Sequence, residues 1–357
     1  MTTITGERPD AGAEVRRTGR GWHKDDITLM IGSIISSGVL TWLAFYQLTT
    51  LRNKPALGFL WYILFIVIYR LAVGQHEGKL AARDKMFTVI VATGAAIVLA
   101  PLLFIISYIV AKGLPGINRD FFVKDLSSTG TLDLGGGAAH AIVGTLEQVG
   151  IAILISVPLG MLTAVFLNEV RGPMRRPVRT FVDAMSGVPS IVAGLFIYSV
   201  WIIQFHHDFS GFAASLALSV LMLPSITRTS EEVLRLVPDG LREASLALGS
   251  TEWRTTWSVV LPTARAGLVT SVVLGVARAV GETAPLIMTS FGNSAMNANP
   301  MNGPQSSLPL FVYTLIRNPF AEQQTRAWAG ALVLIVLVLV LFTLARIIGS
   351  RQLKSRR

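Results

Sequence analysis

Runs of about twenty residues without a charge recur along this chain, and they constrain its fold more than any other feature. A helix needs about 20 apolar residues to cross the hydrocarbon core of a bilayer. Intervals of this kind cover Ile27–Leu51, Pro55–Tyr69 with an extension to Gly74, Met86–Ala111, Gln148–Asn168, Ala184–His207, Phe209–Thr227 and Ala327–Ala345. Another, Ala266–Ser290, is apolar apart from Arg278 and Glu282. The expectation is an all-α polytopic membrane protein with eight spans. The second span is short and contains Arg70.

Composition agrees. Charged residues make up 15% of the 357 positions and apolar residues 52%, whereas a soluble domain carries about 25% charged residues. The net charge of +10 does not point to nucleic acid, because the basic residues bracket apolar spans. With no cysteine, disulfides, thiolate metal sites and cysteine nucleophiles are excluded. The first 26 residues are polar and basic. The apolar run behind them is too long for a signal-peptide core, so Arg16-Arg17 reads as part of a cytoplasmic tail.

Lysine and arginine in short loops orient the spans. With the N-terminus in the cytoplasm, 23 of the 31 basic residues fall inside. The outside seven are Arg52, Lys54, Lys112, Arg119, Lys124, Arg317 and Arg326. Both termini and the segment Arg228–Arg265 are therefore expected on the cytoplasmic side. An odd number of spans would spoil this split. Of the two long outer loops, the one with Gly135-Gly136-Gly137 lacks the lysine of a phosphate-cradling loop and reads as a flexible turn before the fourth span.

Arg228–Arg265 reads as a polar helical hairpin held between two spans. Pro238-Asp239-Gly240 is a turn, from which Asp239 can cap a helix over Leu241–Leu248. Gly249 ends that helix. Ser250 or Thr251 caps a second helix that stops near Pro262. Small residues (Ala244, Ser245, Ala247, Gly249) suit one face to a groove on another protein, with Glu243 and Glu252 free to meet basic residues there. An ordinary amphipathic surface hairpin is the competing reading. Trp253 and Trp257 read as anchors to the membrane interface or the bundle. No GxxxxGK[ST] phosphate loop occurs, so the energy source is expected on another polypeptide.

Arg278 and Glu282 lie inside the seventh span. Each costs roughly 2.5–3.5 kcal/mol near a bilayer centre, and i, i+4 spacing puts them one turn apart for pairing. Two readings stand: a buried ion pair that fixes helix register, and an anion pathway, since guanidinium suits phosphate or sulfate oxygens. Pro285 frees backbone behind the pair and can bend the helix. Pro189 and Ser190 can kink the fifth span and line a path, or simply pack. Asp183 reads as that span's cap, and Glu147 as a side chain snorkelling to the outer interface. His206-His207-Asp208 reads as a solvated turn. No metal spacing, catalytic triad or paired carboxylate site is visible.

Glu243-Ala244-Ser245, three residues, Gly249, nine residues, Val259, then Leu261-Pro262 resembles the EAA loop of ABC importer permeases, which binds the ATPase subunit. Ser245 and Val259 replace alanine and isoleucine of that pattern. Arg278-Ala-Val-Gly-Glu282-Thr283-Ala-Pro285-Leu286 resembles the signature of phosphate-specific ABC importer permeases of the PstA type. Gly187-Val-Pro189-Ser190-Ile-Val-Ala-Gly-Leu195 and Trp328-Ala-Gly-Ala-Leu332 are similar to that family as well. The likeness covers about His140–Arg346.

The resemblance implies a type I, MetI-like permease core of six helices, with two extra N-terminal transmembrane helices that depart from the family. It implies a basic tail over 1–26, an additional pair and linker over 27–85, a permease domain over 86–348 containing the loop 228–265, and a basic tail over 349–357. The implied function is import of inorganic phosphate through the inner membrane. The pathway would involve Arg278, Glu282, Thr283, Pro189 and Ser190. Glu243, Ala244, Ser245, Gly249 and Glu252 would dock the ATPase. The implied partners are an ATP-binding subunit dimer, a second homologous permease subunit, an extracytoplasmic phosphate-binding protein and membrane lipid, with no cofactor and no nucleic acid. The rival readings are a permease for another oxyanion such as molybdate or sulfate, and a membrane partner that reports transporter state to a sensor protein.

Overall fold

The computed structural model describes residues 24–48, 54–133 and 135–354. Arg8, Arg16, Arg17, Arg20, Arg52, Arg356 and Arg357, used above for orientation, lie outside the described residues, as do the side chains of Lys24, Arg351 and Lys354. Among those residues the regular structure is helical, apart from one isolated bridge between Phe291 and Gln305. In order the helices are α1 (Lys24–Leu43), α2 (Lys54–Glu77), α3 (Lys79–Gly113), α4 (Arg119–Val123), α5 (Ala139–Glu169), α6 (Arg175–Ser186) and α7 (Ser190–Ile197). There follow α8 (Gly211–Arg235), α9 (Asp239–Ala247), α10 (Glu252–Thr255), α11 (Leu261–Val280), α12 (Ala284–Thr289), α13 (Leu308–Ile316) and α14 (Ala321–Lys354).

Seven helical stretches among the described residues are long and apolar enough to span a membrane. The short second span is one of them, a 24-residue helix over Lys54–Glu77. The expected fifth span is instead broken. Gly187-Val188-Pro189 separates α6 from α7, and the two arms bend by 107°. The residue before a proline is disfavoured in the α region, and Pro189 itself is extended at φ −61, ψ 146. Asp183 does not cap this span. It lies inside α6, where it pairs with Arg228 of α8 at 2.6 Å.

The chain separates into two compact units, 1–104 and 105–357. In the first, Phe65, Tyr69, Val73 and Ala82 form a small core. Lys85 holds three helices together, pairing with Asp26 of α1 and, at 2.7 Å, with Glu77 of α2. Lys79–Lys85 is helical and opens α3.

The centre of the second unit is the pair α5 and α8. Within a bilayer helices gain little from hydrophobic exclusion, so close approach depends on small residues. A Cβ on Gly160 of α5 would sit 3.0 Å from the Ile226 side chain of α8. The Thr227 hydroxyl donates to the Gly160 carbonyl at 3.3 Å. Gly275 of α11 receives Ile226 from the opposite side, and its Cβ would lie 2.6 Å from that side chain. Leu218, Met222, Ile226, Val276, Val280 and Leu286 are buried in the resulting core.

Two proline effects differ from the sequence expectation. The helix of the hairpin's second arm does not stop at Pro262 but runs Glu252–Val280. A π-helical turn over Thr256–Val260 precedes the proline, which then lies at the start of α11 without breaking the helix. The break comes later, at Gly281–Thr283. Gly135-Gly136-Gly137 is a packed turn: a Cβ on Gly137 would lie 2.4 Å from the Asp120 carbonyl, and Gly136 has φ +81.

Gly144 of α5 faces the Ser306 carbonyl, where a Cβ would be 2.0 Å away, while Gly150 of the same helix has open space. Gly144→Ala should therefore destabilise the protein by about 1–3 kcal/mol through overpacking. Gly150→Ala should be neutral or stabilising by up to about 1 kcal/mol. Thermal unfolding of the two variants in detergent checks the contrast.

Candidate functional site

The hairpin hangs from the ends of α5 and α8. Its first arm, α9, starts at Asp239 with Pro238 as N-cap, and Asp239 does not cap it. The Asp239 carboxylate instead accepts from Arg242 at 3.0 Å. Gly249 turns the chain at φ +80 with nothing near the site of a Cβ, a conformation that glycine adopts without strain. Thr251 caps the second arm by accepting from the Arg254 N–H. Glu243, Ala244, Gly249 and Glu252 are all exposed. Ser245 is not fully on that face: its hydroxyl shares a 2.9 Å hydrogen bond with Thr255 and ties the arms together. Leu248, Trp253 and Trp257 are exposed, and the two indoles meet edge to face at 5.4 Å rather than packing into the bundle. The hairpin thus presents an apolar surface edged by two carboxylates. The segment is also shorter than the sequence suggested, because α8 stays helical to Arg235.

Arg242 holds this hairpin in place, and the sequence reading missed it. Its guanidinium donates to Glu169 of α5 at 3.0 and 3.3 Å and to the Leu234 and Val237 carbonyls at 3.0 and 2.7 Å. Those carbonyls lie at the C-terminal end of α8, where cations are favoured. Glu231, buried in α8, pairs with Arg179 of α6 and at 2.6 Å with Arg235. A buried carboxylate left with no cation is strongly destabilising, so α6 is fixed firmly to α8. A chain-local signal existed for Glu231–Arg235, at i, i+4, but none for the other partners.

Arg278 and Glu282 are not a helical ion pair. The helix ends at Val280, and Glu282 falls in the turn behind Gly281. Among the described residues neither side chain makes an ion pair or hydrogen bond. Arg278 is exposed and Glu282 half-exposed. Depth follows from packing. Gly275 meets Ile226, which at 1.5 Å per residue lies about 22 Å along α8 from Gly211, and Arg278 is one turn beyond Gly275. Arg278 is therefore level with the middle of α8.

The structure brings the two kinked motifs together. Helix α7 packs on α12, with Gly194 against Pro285, where a Cβ would be 2.6 Å from the proline Cα. The Pro189 carbonyl accepts from the Val192 and Ala193 N–H groups, and the Thr283 carbonyl from those of Leu286 and Ile287. Pro189, Ser190 and Thr283 thus all sit at helix starts, with Pro189 exposed and the other two half-exposed. Arg278 and Glu282 border the break that precedes Thr283.

At the far end from the hairpin, loop 291–307 is locked into the bundle. The Gln305 amide donates to the Glu147 carboxylate at 2.5 Å and to the Asn297 carbonyl at 3.0 Å, and accepts from Gln148 at 3.0 Å. Glu147 is therefore bonded within the protein and does not snorkel outward. Asp125 joins two loops on this end. Hydrogen bonds from the Ser127 hydroxyl and the Met296 N–H hold its carboxyl below the ordinary carboxylate range. Among the described residues no cluster suits a metal ion, and His206 and His207 are exposed.

The two helix breaks meet where α7 packs on α12, and the polar hairpin joins α8 to α11. A chain of a bacterial ABC transporter involved in the import of the acidic polysaccharide alginate has this fold. It matches with a TM-score of 0.52 at 16% identity, over 75% of this chain and 96% of that one. The chain belongs to the family of binding-protein-dependent transport system inner membrane components, whose model matches residues 156–354. It is 42% identical over 258 residues to the phosphate transport system permease protein PstA of Mycobacterium leprae, covering 72% of this chain and 85% of the relative. PstA 1 of Mycobacterium tuberculosis H37Rv is 39% identical over 277 residues, with 77% and 90% covered. PstA of Pasteurella multocida is 35% identical over 255 residues, with 71% and 89% covered. Its place within the family is the PstA branch, and it is a multi-pass inner-membrane protein.

Because the native chain has no cysteine, Thr283→Cys gives a single reporter at the break. Adding Gly194→Val should push α12 away from α7 and change the rate of maleimide labelling at position 283 several-fold. An unchanged rate would mean that the Gly194–Pro285 contact does not set the break.

Proposed function

We propose that this chain is a permease subunit of an ATP-driven importer of inorganic phosphate and supplies half of the translocation pathway. The observation that carries the pathway is Arg278: exposed, level with the middle of α8 and, among the described residues, unpaired. A bare charge facing hydrocarbon at that depth costs roughly 2.5–3.5 kcal/mol. Such residues face a bundle interior or a wet cavity. The surface around Arg278 therefore faces the path and a second, homologous permease subunit. Glu282 stands behind a helix break and is free to compete with a passing anion for the guanidinium, which limits dwell time. Pro189, Ser190 and Thr283 line the same kinked region with polar and backbone groups.

The hairpin is the seat for a separate ATPase subunit, one of a pair. Glu243, Ala244, Gly249 and Glu252 form the exposed face, and Ser245 braces it from within. The basic-residue distribution supports a cytoplasmic side for the hairpin and both termini. Loop 291–307 then faces the outside, where an extracytoplasmic phosphate-binding protein would deliver its cargo. Residues 86–348 form the permease domain, and 27–85 an additional membrane segment. The relatives' phosphate transport function supports phosphate over molybdate or sulfate, and the two kinked motifs support a conduit over a sensor partner.

Arg278→Gln should reduce radiolabelled phosphate uptake to background while the complex still assembles. Normal uptake would remove Arg278 from the path. Gly249→Asp should lower co-purification of the ATPase subunit roughly tenfold or more, the effect of about 1.4 kcal/mol. Unchanged co-purification would refute the seat.

A further inference from the structure

Arg242 and Gln305 grip the same two helices from opposite ends. At the hairpin end, Arg242 donates to Glu169 of α5 and to the carbonyls that close α8. At the other end, Gln305 bonds Glu147 and Gln148 of α5. Its side-chain oxygen also lies against Gly211, the first residue of α8, where a Cβ would be 1.9 Å away. Glu147 and Glu169 are about 33 Å apart along the helix, so the two grips stand a membrane thickness apart.

The pair between the grips is laced together. Gly160 accepts Ile226 against its backbone, and the Thr227 hydroxyl bonds the Gly160 carbonyl. This lacing falls beside Pro158 and Pro224, where each helix lacks a backbone donor. Close-packed interiors transmit displacement because they hold few voids.

Gln305 also reaches the pathway segment. Its N–H donates to the Ser290 carbonyl, and the Ser210 N–H donates to that of Thr289. Both acceptors lie at the end of α12, whose start carries the break at Thr283. A continuous set of bonds therefore runs from the hairpin through α5 and α8 to loop 291–307 and α12.

We infer that Arg242 and Gln305 are positioning residues that couple the hairpin to the pathway: a displacement of the hairpin is carried by the α5–α8 pair to α12. Neither side chain needs to touch the ATPase or the anion. Arg242 is turned inward, half-buried, while the exposed face of α9 remains free. This inference rests on the reading of the hairpin as the ATPase seat.

The test uses the intact complex in proteoliposomes, with ATPase co-purification, ATP turnover and radiolabelled phosphate uptake measured together. Glu169→Gln weakens the grip from the α5 side and leaves the hairpin surface untouched; Arg242→Lys keeps the charge but loses the planar fork. Both should retain the ATPase subunit and ATP turnover while phosphate moved per ATP falls, by about tenfold in Glu169→Gln and less in Arg242→Lys. Gln305→Ala should give the same uncoupling from the opposite end. The exchange Arg242→Glu with Glu169→Arg should recover part of the ratio. Unchanged phosphate per ATP in Glu169→Gln and Gln305→Ala would overturn the inference. So would loss of the ATPase subunit from Glu169→Gln, which would make the pair a requirement for docking alone. A wrong seat shows separately, as Gly249→Asp leaving co-purification intact.

Discussion

The close approach of α5 and α8 is the constraint on which the larger unit depends. Lipid is as apolar as leucine, so burying leucine between two membrane helices gains little. What remains is contact at short range and hydrogen bonds that lipid cannot supply. Gly160 provides the first by admitting Ile226 to the backbone, and Thr227 provides the second. Gly144 and Gly211 extend the same logic to the far end, where they leave room for Ser306 and Gln305. Three further elements are fastened to this pair: α6 through Glu231 and Asp183, the hairpin through Arg242, and loop 291–307 through Gln305.

Polar groups divide by depth in a way that separates structure from function. At the two ends of the α5–α8 pair, Glu147, Glu169, Glu231 and Gln305 are engaged by named partners. Among the described residues Arg278 and Glu282 have no such partner, although isolation costs most near the middle of a membrane. A fold that pairs Glu231 twice at one end and leaves Arg278 open in the middle has its open charge in the one place where stability argues against it. That contrast speaks against a register-fixing ion pair and supports the pathway proposed for the motif.

Much of this was legible in the chain itself. Long apolar runs specify helices across a membrane without knowledge of any neighbour, since a spanning segment must satisfy its own backbone. The hairpin was legible too, because Gly249 marks a turn that needs positive φ and Thr251 a cap, both local requirements. Where local rules misled, a neighbour was responsible. Pro262 did not end its helix, which continues into α11 behind a π-helical turn. The i, i+4 spacing of Arg278 and Glu282 promised a pair, but α11 ends at Val280, between them, and the next helix starts only at Ala284. Glu147 looked like a residue reaching for water until Gln305, 158 positions away, met it.

The sequence by itself determined the class of molecule, the rough limits of most of its spans, and the turn chemistry of the hairpin. These follow from the length and periodicity of apolar runs and from the φ preferences of glycine and proline, which act within a few residues. Only the tertiary structure decided that the two kinked motifs lie against each other at Gly194 and Pro285, that Arg278 stands open, and that Arg242 and Gln305 hold one helix pair at both ends. Each of these depends on contacts between residues far apart in the chain, and such contacts are selected by shape and hydrogen-bond geometry, which no local pattern encodes.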